Sequence, residues 1–589
     1  MKRVLQFLLN RLPAYIYKPL QMHGRFFVWM YLLGFLCIML INPFGKHVAV
    51  FELFLDLYLL TALLTLLPHK VASFMKALLS IVFYALALVD VFCLWRFGSP
   101  MGPAFLFNCL QTDIREAGEA LNTFLSWRVF LSPVMLVVLL GVAHFLSRHV
   151  RVHRFPRFLN DCWRGRLTFL LLAVCLPMSW VNIKFLYHYY FVVDESLEME
   201  YALQRPYTTG FYLPVYRFAE GVKAWQIHRR QVTTLIQRVE ATTVDSCSFR
   251  SPQIVLIIGE SFNRHHAQLY GYPLPTTPWQ LQAEKDSSLV AFTDVVAPFH
   301  QTSEVFKTLF SLYAYGCPRS WDDYTLFPAL FKKAGYQVFF LTNQFVRTPE
   351  QDIWDFSGGS ILNDERLSAA QFSHRNNRMH DYDDGLLEDY DSLKGFRSQH
   401  NLIIFHLLGQ HFNYQERYPS SARRFMPEQY RRDGLSQADR EVLADYDNAT
   451  LYNDRILKRI TECFLQEDAI VVYVPDHGEL MFDGSSTFGR SFEVKSRNEV
   501  YQQFEIPFWI WMSPLYRQSH PQIAEEVRKA KEKPFMTDNL DQLLLYLAGI
   551  SCSDYRAEDN PLVPQYNSRR QRLLMGTMDY DKVMRRKSQ

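Results

Sequence analysis

Ala469-Ile470-Val471-Val472-Tyr473-Val474 runs straight into Pro475-Asp476-His477-Gly478-Glu479. A short unbroken apolar run rich in β-branched residues predicts a strand buried on both faces. The polar cluster behind it predicts the edge where the chain leaves the sheet. The same order recurs elsewhere. Ile254–Ile258 leads into Gly259-Glu260-Ser261, Val338–Leu341 into Thr342-Asn343-Gln344, and Leu402–Leu407 towards Gly409-Gln410-His411. Phe508–Trp511 is a further run of the same kind, and helical stretches separate them. This alternation predicts an α/β domain with a mainly parallel central sheet, whose ligands gather at the carboxyl ends of the strands.

Upstream the composition changes. Charge is scarce before about residue 185 and abundant after about residue 220. Five apolar runs, roughly Phe26–Leu40, Val48–Leu67, Phe74–Trp95, Val129–Leu146 and Leu167–Phe185, approach the ~20 residues that cross hydrocarbon. They predict an α-helical membrane domain of about five spans over residues 1–185. Asn10, Arg11 and Lys18 interrupt the N-terminus and argue against a cleaved signal peptide. Lys2, Arg3, Arg11, Lys18 and Arg25 precede the first span, and Arg148, Arg151, Arg154, Arg157, Arg164 and Arg166 fill the loop before the fifth. With alternating spans these two segments share one side, which the positive-inside rule makes cytoplasmic. An odd number of spans then puts the rest of the chain outside, beyond cytosolic ATP. Residues 186–250, starting with the aromatic run Tyr187–Phe191, are expected to form bridging helices at the membrane interface, and residues 251–589 the outward domain.

A net charge of +3 over 589 residues provides no basic field for nucleic acid. The nine cysteines show no CxxC or CxxH spacing, which argues against a cysteine-built zinc site. Cys247, Cys317, Cys463 and Cys552 lie in the charged half and are able to pair in an oxidising compartment.

Asp476 and His477, side by side at a strand end, suit zinc, which takes oxygen and nitrogen ligands. Glu260 at another strand end adds a carboxylate. Thr302, Ser303 and Thr308 offer nucleophilic hydroxyls. A hydroxyl reacts poorly at neutral pH until a base or metal removes its proton. Each of the three, taken alone, also reads as a helix cap.

Read in order, Ile254–Tyr272 (IVLIIGESFNRHHAQLYGY), Thr277-Pro278, Thr302–Phe310, Ala334–Gln344 (AGYQVFFLTNQ), His406–Pro419 (HLLGQHFNYQERYP), Tyr446–Asp454 (YDNATLYND), Val474–Glu479 (VPDHGE) and Ile506–Trp511 carry a family resemblance. The chain resembles the phosphoethanolamine transferases of the alkaline phosphatase/sulfatase superfamily, and most of all the branch that modifies the heptose of the lipopolysaccharide core. The resemblance implies a zinc-dependent catalytic domain in the periplasm of a bacterium, anchored in its inner membrane. It implies Zn²⁺ held by Glu260, Thr302, Asp476 and His477, with Thr302 as the nucleophile. Thr302 is preferred to Ser303 and Thr308 for its distance from Leu309-Phe310-Ser311. His411 falls where the family contacts the transferred phosphate.

Asn108, Thr112 and Glu116 recur at four-residue spacing, which puts them on one helix face; the resemblance makes them holders of the donor headgroup. The donor so implied is phosphatidylethanolamine, and the acceptor lipopolysaccharide or lipid A. The chain departs from the family in having no histidine in Tyr501–Glu505, where Lys495 and Arg497 nearby are candidates to hold phosphate instead. Two enzymatic rivals are glycerol-phosphate transfer from phosphatidylglycerol and phosphoethanolamine transfer to periplasmic glucan. A non-catalytic membrane sensor or scaffold is the rival outside enzymes. A sulfatase activity is disfavoured because no Cys/Ser-x-Pro-x-Arg motif stands at the nucleophile.

Overall fold

The computed structural model describes residues 12–41, 46–97, 100–101, 127–147, 160–192, 210–344, 346, 358–430, 434–484, 487–490, 494 and 496–585. The chain divides into two compact units, Met1–Arg229 and Arg230–Gln589.

The first unit is helical: α1 (Leu12–Ile41), α2 (Lys46–Thr65), α3 (His69–Phe97), α4 (Val134–Leu146), α5 (Asp161–Phe191) and the start of α6 (Pro214–Ala241). Four of these, α1, α2, α3 and α5, are long and apolar enough to cross a membrane. The run expected over Val129–Leu146 is shorter than the others. A 3₁₀ turn covers Trp127–Leu131, and α4 starts only after Pro133, leaving 13 helical residues. At 1.5 Å per residue that is about 20 Å, less than the ~30 Å of hydrocarbon. Leu63, Leu66, Phe74, Ile81, Leu139 and Leu170 turn outward and exposed. Water disfavours such a shell and lipid accepts it. Some buried polar groups among these helices are paired, as Asn182 with Glu52 and Arg217 with Asp90. The aromatic run Tyr187–Phe191 completes the last turns of α5.

The second unit is built on seven strands. In chain order they are β1 (Gln253–Gly259), β2 (Leu289–Phe292), β3 (Gln337–Thr342), β4 (His374–Arg375), β5 (Asn401–His406), β6 (Ala469–Pro475) and β7 (Phe508–Met512). They lie in the order β2-β7-β6-β1-β5-β3-β4. β1 pairs in parallel with β5 and β6, and β3 with β4 and β5. β7 runs antiparallel to both β6 and β2, so the sheet is mixed. The end of α9 (Arg497–Phe504) lies back at the carboxyl edge of β6, where the Gly478 N–H donates to the Gln503 carbonyl, and β7 starts from that edge.

Every residue of β1, β5, β6 and β7 is buried, as strands covered on both faces require. Two further helices frame the site, α7 (Thr302–Phe310) and α8 (Gln437–Glu462). Cys247, Cys317, Cys463 and Cys552 all carry free thiols.

Candidate active site

Register brings the site together. Gly259 of β1 stands opposite Pro475 of β6, so the next residues, Glu260 and Asp476, leave neighbouring strands side by side. Ser261 then turns with φ of +54°, a left-handed conformation uncommon for a side chain and frequent at functional turns. That turn aims its N–H at Asp476 Oδ1, 2.9 Å away. Gly478 must be glycine, since a Cβ there would lie 2.2 Å from the Gln502 carbonyl oxygen. Its N–H donates to the Gln503 carbonyl, so the stretch that lacks the family histidine supports the Asp476-His477 loop through its backbone.

Glu260, Asp476 and His477 form a buried group whose ligand atoms lie within 4.8 Å of one another. His477 Nε2 is 3.3 Å from Asp476 Oδ2 and 3.6 Å from Glu260 Oε1. His477 Nδ1 donates to the Gly478 carbonyl at 2.7 Å, which leaves the Nε2 lone pair for a ligand. Burial, with the Arg490 charge beside it, lowers this imidazole to about 3, so it is neutral. Asp476 Oδ2 and His477 Nε2 are both buried without a hydrogen-bond partner. Orphaned acceptors at this depth are costly unless something binds them. An oxygen, nitrogen, oxygen donor set fits zinc.

Thr302 is the first residue of α7, and Gln301 before it makes no side-chain cap. Its Oγ1 lies 3.2 Å from Glu260 Oε2 and 3.3 Å from Oε1. The Asp476 carboxyl is raised by burial, against the opposing pull of Arg490, the Ser261 N–H, Glu260 and Thr302. Thr308, by contrast, donates to its own helix at Val305. The helix cap reading therefore fails for Thr302, whose hydroxyl lies against Glu260 at the positive end of a helix.

Arg490 joins the site without a mark in the sequence. It follows the short hairpin Leu480–Met481/Phe488–Gly489 and places Nη2 3.1 Å from Glu260 Oε1, with Nε 3.8 Å from Glu479 Oε2. No apolar pattern marks that segment, so nothing in the sequence singled it out. Lys495 lies outside the described residues, and Arg497 is exposed at the start of α9. Gln344, at the polar end of β3, donates from Nε2 to Glu260 Oε2 at 3.4 Å. Tyr414 donates to Glu479 Oε1 at 2.7 Å, and burial raises that carboxyl to about 7.

The turn after β5 closes on the same place. Gln410 donates its N–H to the Glu260 carbonyl at 3.1 Å, and His411, half-buried, follows on this turn. The His411 ring makes no hydrogen bond to Glu260, Asp476 or His477. Asn108, Thr112 and Glu116 lie outside the described residues.

Residues 252–550 match the sulfatase family model. The chain is 26% identical over 543 residues to phosphoethanolamine transferase EptC of Escherichia coli, covering 87% of this chain and 86% of the relative. It is 25% identical over 480 residues to the Kdo(2)-lipid A phosphoethanolamine 7''-transferase of Escherichia coli, covering 78% and 79%. The solved integral membrane protein lipooligosaccharide phosphoethanolamine transferase A (EptA) of Neisseria meningitidis superposes with a TM-score of 0.50 at 18% identity, over 93% of this chain and 97% of that one. That likeness extends the shared fold to a helical region followed by an α/β domain. The chain belongs to the sulfatase family, within the alkaline phosphatase/sulfatase superfamily, and its homologues include phosphoethanolamine transferases.

Proposed function

We propose that this protein moves phosphoethanolamine from phosphatidylethanolamine to a lipopolysaccharide component, core heptose or lipid A, through a covalent phosphoethanolamine–Thr302 intermediate. One observation carries the reading: a half-buried threonine hydroxyl, 3.2 Å from Glu260, beside two buried donor atoms that have no hydrogen-bond partner. Glu260, Thr302, Asp476 and His477 would hold zinc. When bound, zinc would favour the alkoxide of Thr302 and offset charge on the phosphoryl oxygens.

The chain's own residues do the rest. Thr302 Oγ bonds to the phosphorus, and the bond from phosphorus to the glycerol oxygen breaks. Diacylglycerol leaves with the proton that the hydroxyl gives up. An acceptor hydroxyl or phosphate then displaces Thr302. Arg490 and the start of α7 face the charge that builds on the phosphoryl group. His411 contacts that group, and Asn108, Thr112 and Glu116 hold the donor headgroup.

The helices α1, α2, α3 and α5, with the 3₁₀ turn Trp127–Leu131 and α4 together as a further, shorter crossing, anchor the chain in a bacterial inner membrane. The arginine-rich N-terminus and the loop before α5 lie in the cytoplasm, and the catalytic unit faces the periplasm. The test is mass spectrometry of lipid A, core sugars and periplasmic glucans from cells with and without the protein. A phosphoethanolamine increment on a lipopolysaccharide component is expected. An increment of glycerol phosphate, or none on any of the three, refutes the reading.

A further inference from the structure

Beside the proposed centre lies a cleft of about 560 Å³, within the usual range for small-ligand sites. Of its ten lining residues only Leu408 is aliphatic; the others include His380, Tyr382, Gln415, Arg417 and Arg423. A lining of this kind rejects acyl chains and suits a group rich in hydroxyls.

The cleft and the centre share one loop. Asp383 is buried and accepts from the N–H of Leu408 at 2.8 Å, the N–H of Gly409 at 2.9 Å and Asn343 Nδ2 at 3.0 Å. Asn343 Oδ1 in turn accepts the His380 N–H at 2.7 Å. These bonds fix the wall formed by His380 and Leu408 before any ligand arrives. Two residues past Leu408, Gln410 binds the Glu260 carbonyl. A ligand in the cleft is therefore separated from Glu260 by the thickness of a single turn.

Charge is distributed unevenly with depth. The carboxylates of the lining face water: Asp381 is exposed, and the Glu416 side chain is 66% exposed. The Arg417 side chain is only 12% exposed; its ion-pair partner is that same Glu416, 3.1 Å away, and the buried Asp383 also acts on its charge from behind the wall. A pair with one partner in water holds weakly. Arg423 is bound to Glu441 and lies 3.6 Å from Asp445, and His380 lies 2.8 Å from Asp389. Arg417 is thus the sheltered cation that a ligand can engage at least cost. Guanidinium forks match carboxylate and phosphate.

We propose that this cleft is the acceptor subsite and takes a sugar carrying an anionic substituent, with Arg417 gripping that anion. The proposal rests on the transfer reaction above. In its second half the acceptor hydroxyl oxygen bonds to phosphorus, the phosphorus–Oγ bond to Thr302 breaks, and the hydroxyl proton ends on Thr302 Oγ. Only this half needs the cleft.

The experiment uses the full chain in detergent, with heptose phosphate and unphosphorylated heptose as probe acceptors. Diacylglycerol release from phosphatidylethanolamine reports the first half. In Arg417→Gln the KM for heptose phosphate should rise roughly tenfold or more, towards that of free heptose, with Arg417→Lys in between. The KM for phosphatidylethanolamine and the first burst of diacylglycerol should not change. An unchanged KM for heptose phosphate overturns the cleft assignment, and so does a raised KM for the lipid, which would make Arg417 a donor contact. A wild-type chain that releases no diacylglycerol overturns the transfer reaction itself.

Discussion

Gly409 provides a sharp test of how tightly the site is held. Its φ is +51°, and an added Cβ would stand 2.9 Å from the Glu260 nitrogen and 3.1 Å from the Glu260 oxygen. Both are backbone atoms, so neither can swing aside. Gly409→Ala therefore carries two costs: the left-handed backbone, ~1–2 kcal/mol for a residue with a side chain, and a shift of a few tenths of an ångström in Glu260. Gly271 separates them. Its φ is +95° and an added Cβ meets nothing within 4 Å, so Gly271→Ala carries only the backbone cost. Misplacing a reacting group by about 1 Å costs ~100-fold. A few tenths at Glu260 should lower transfer to acceptor about tenfold in Gly409→Ala. In Gly271→Ala activity should stay near wild type, while both variants lose a few degrees of thermal midpoint. The assay pairs acceptor mass gain with thermal unfolding of the full chain. Equal activity in the two variants would show that this turn does not position Glu260.

Three further outcomes are expected. Arg490→Gln should lower transfer by about 10²–10³, as loss of a preorganised donor does, with Arg490→Lys intermediate and bound zinc unchanged; loss of zinc in these variants would make the arginine a support of the metal site instead. Chelation should lower the thermal midpoint and zinc should restore it, since a ligand at a thousandfold its Kd contributes ~4 kcal/mol; His477→Ala should show no response, and a wild-type response in it would place the metal elsewhere. His266 is buried between Asp447 and Asp483. Burial opposes its charge, but the two carboxylates outweigh it and raise the imidazole to about 9. A folded value above the unfolded ~6.5 gives stabilisation that is complete below pH ~6.5 and lost as pH rises through about 9. The midpoint should fall over that window, and His266→Gln should flatten the fall; parallel curves for the two proteins would contradict this.

Much of the site was legible because strand ends are local events. Apolar runs stopping at Glu260, Gln344 and Asp476 mark the sheet edge without knowledge of strand order, and the register of β1 on β6 then joins the first and last of these. Strand direction was not legible, because hydropathy is the same read either way; β7 reverses because α9 ends back at the carboxyl edge of β6, where β7 starts. The shortness of α4 was signalled by Ser132-Pro133, where a helix start is favoured and continuation from upstream is not. Arg490 left no signal, since its position depends on how a two-residue hairpin folds back on Glu260 and Glu479. The resemblance gives His411 a contact to the transferred phosphate; its turn is tied to Glu260 by the Gln410 N–H, and the imidazole makes no hydrogen bond to Glu260, Asp476 or His477.

The most direct test is to incubate the full chain with phosphatidylethanolamine labelled in its headgroup, quench, and map the label by peptide mass spectrometry. A phosphoethanolamine increment on Thr302 is expected, formed with release of diacylglycerol and absent from a folded Thr302→Ala variant. Diacylglycerol release with the label on another residue, or undiminished in that variant, would contradict it.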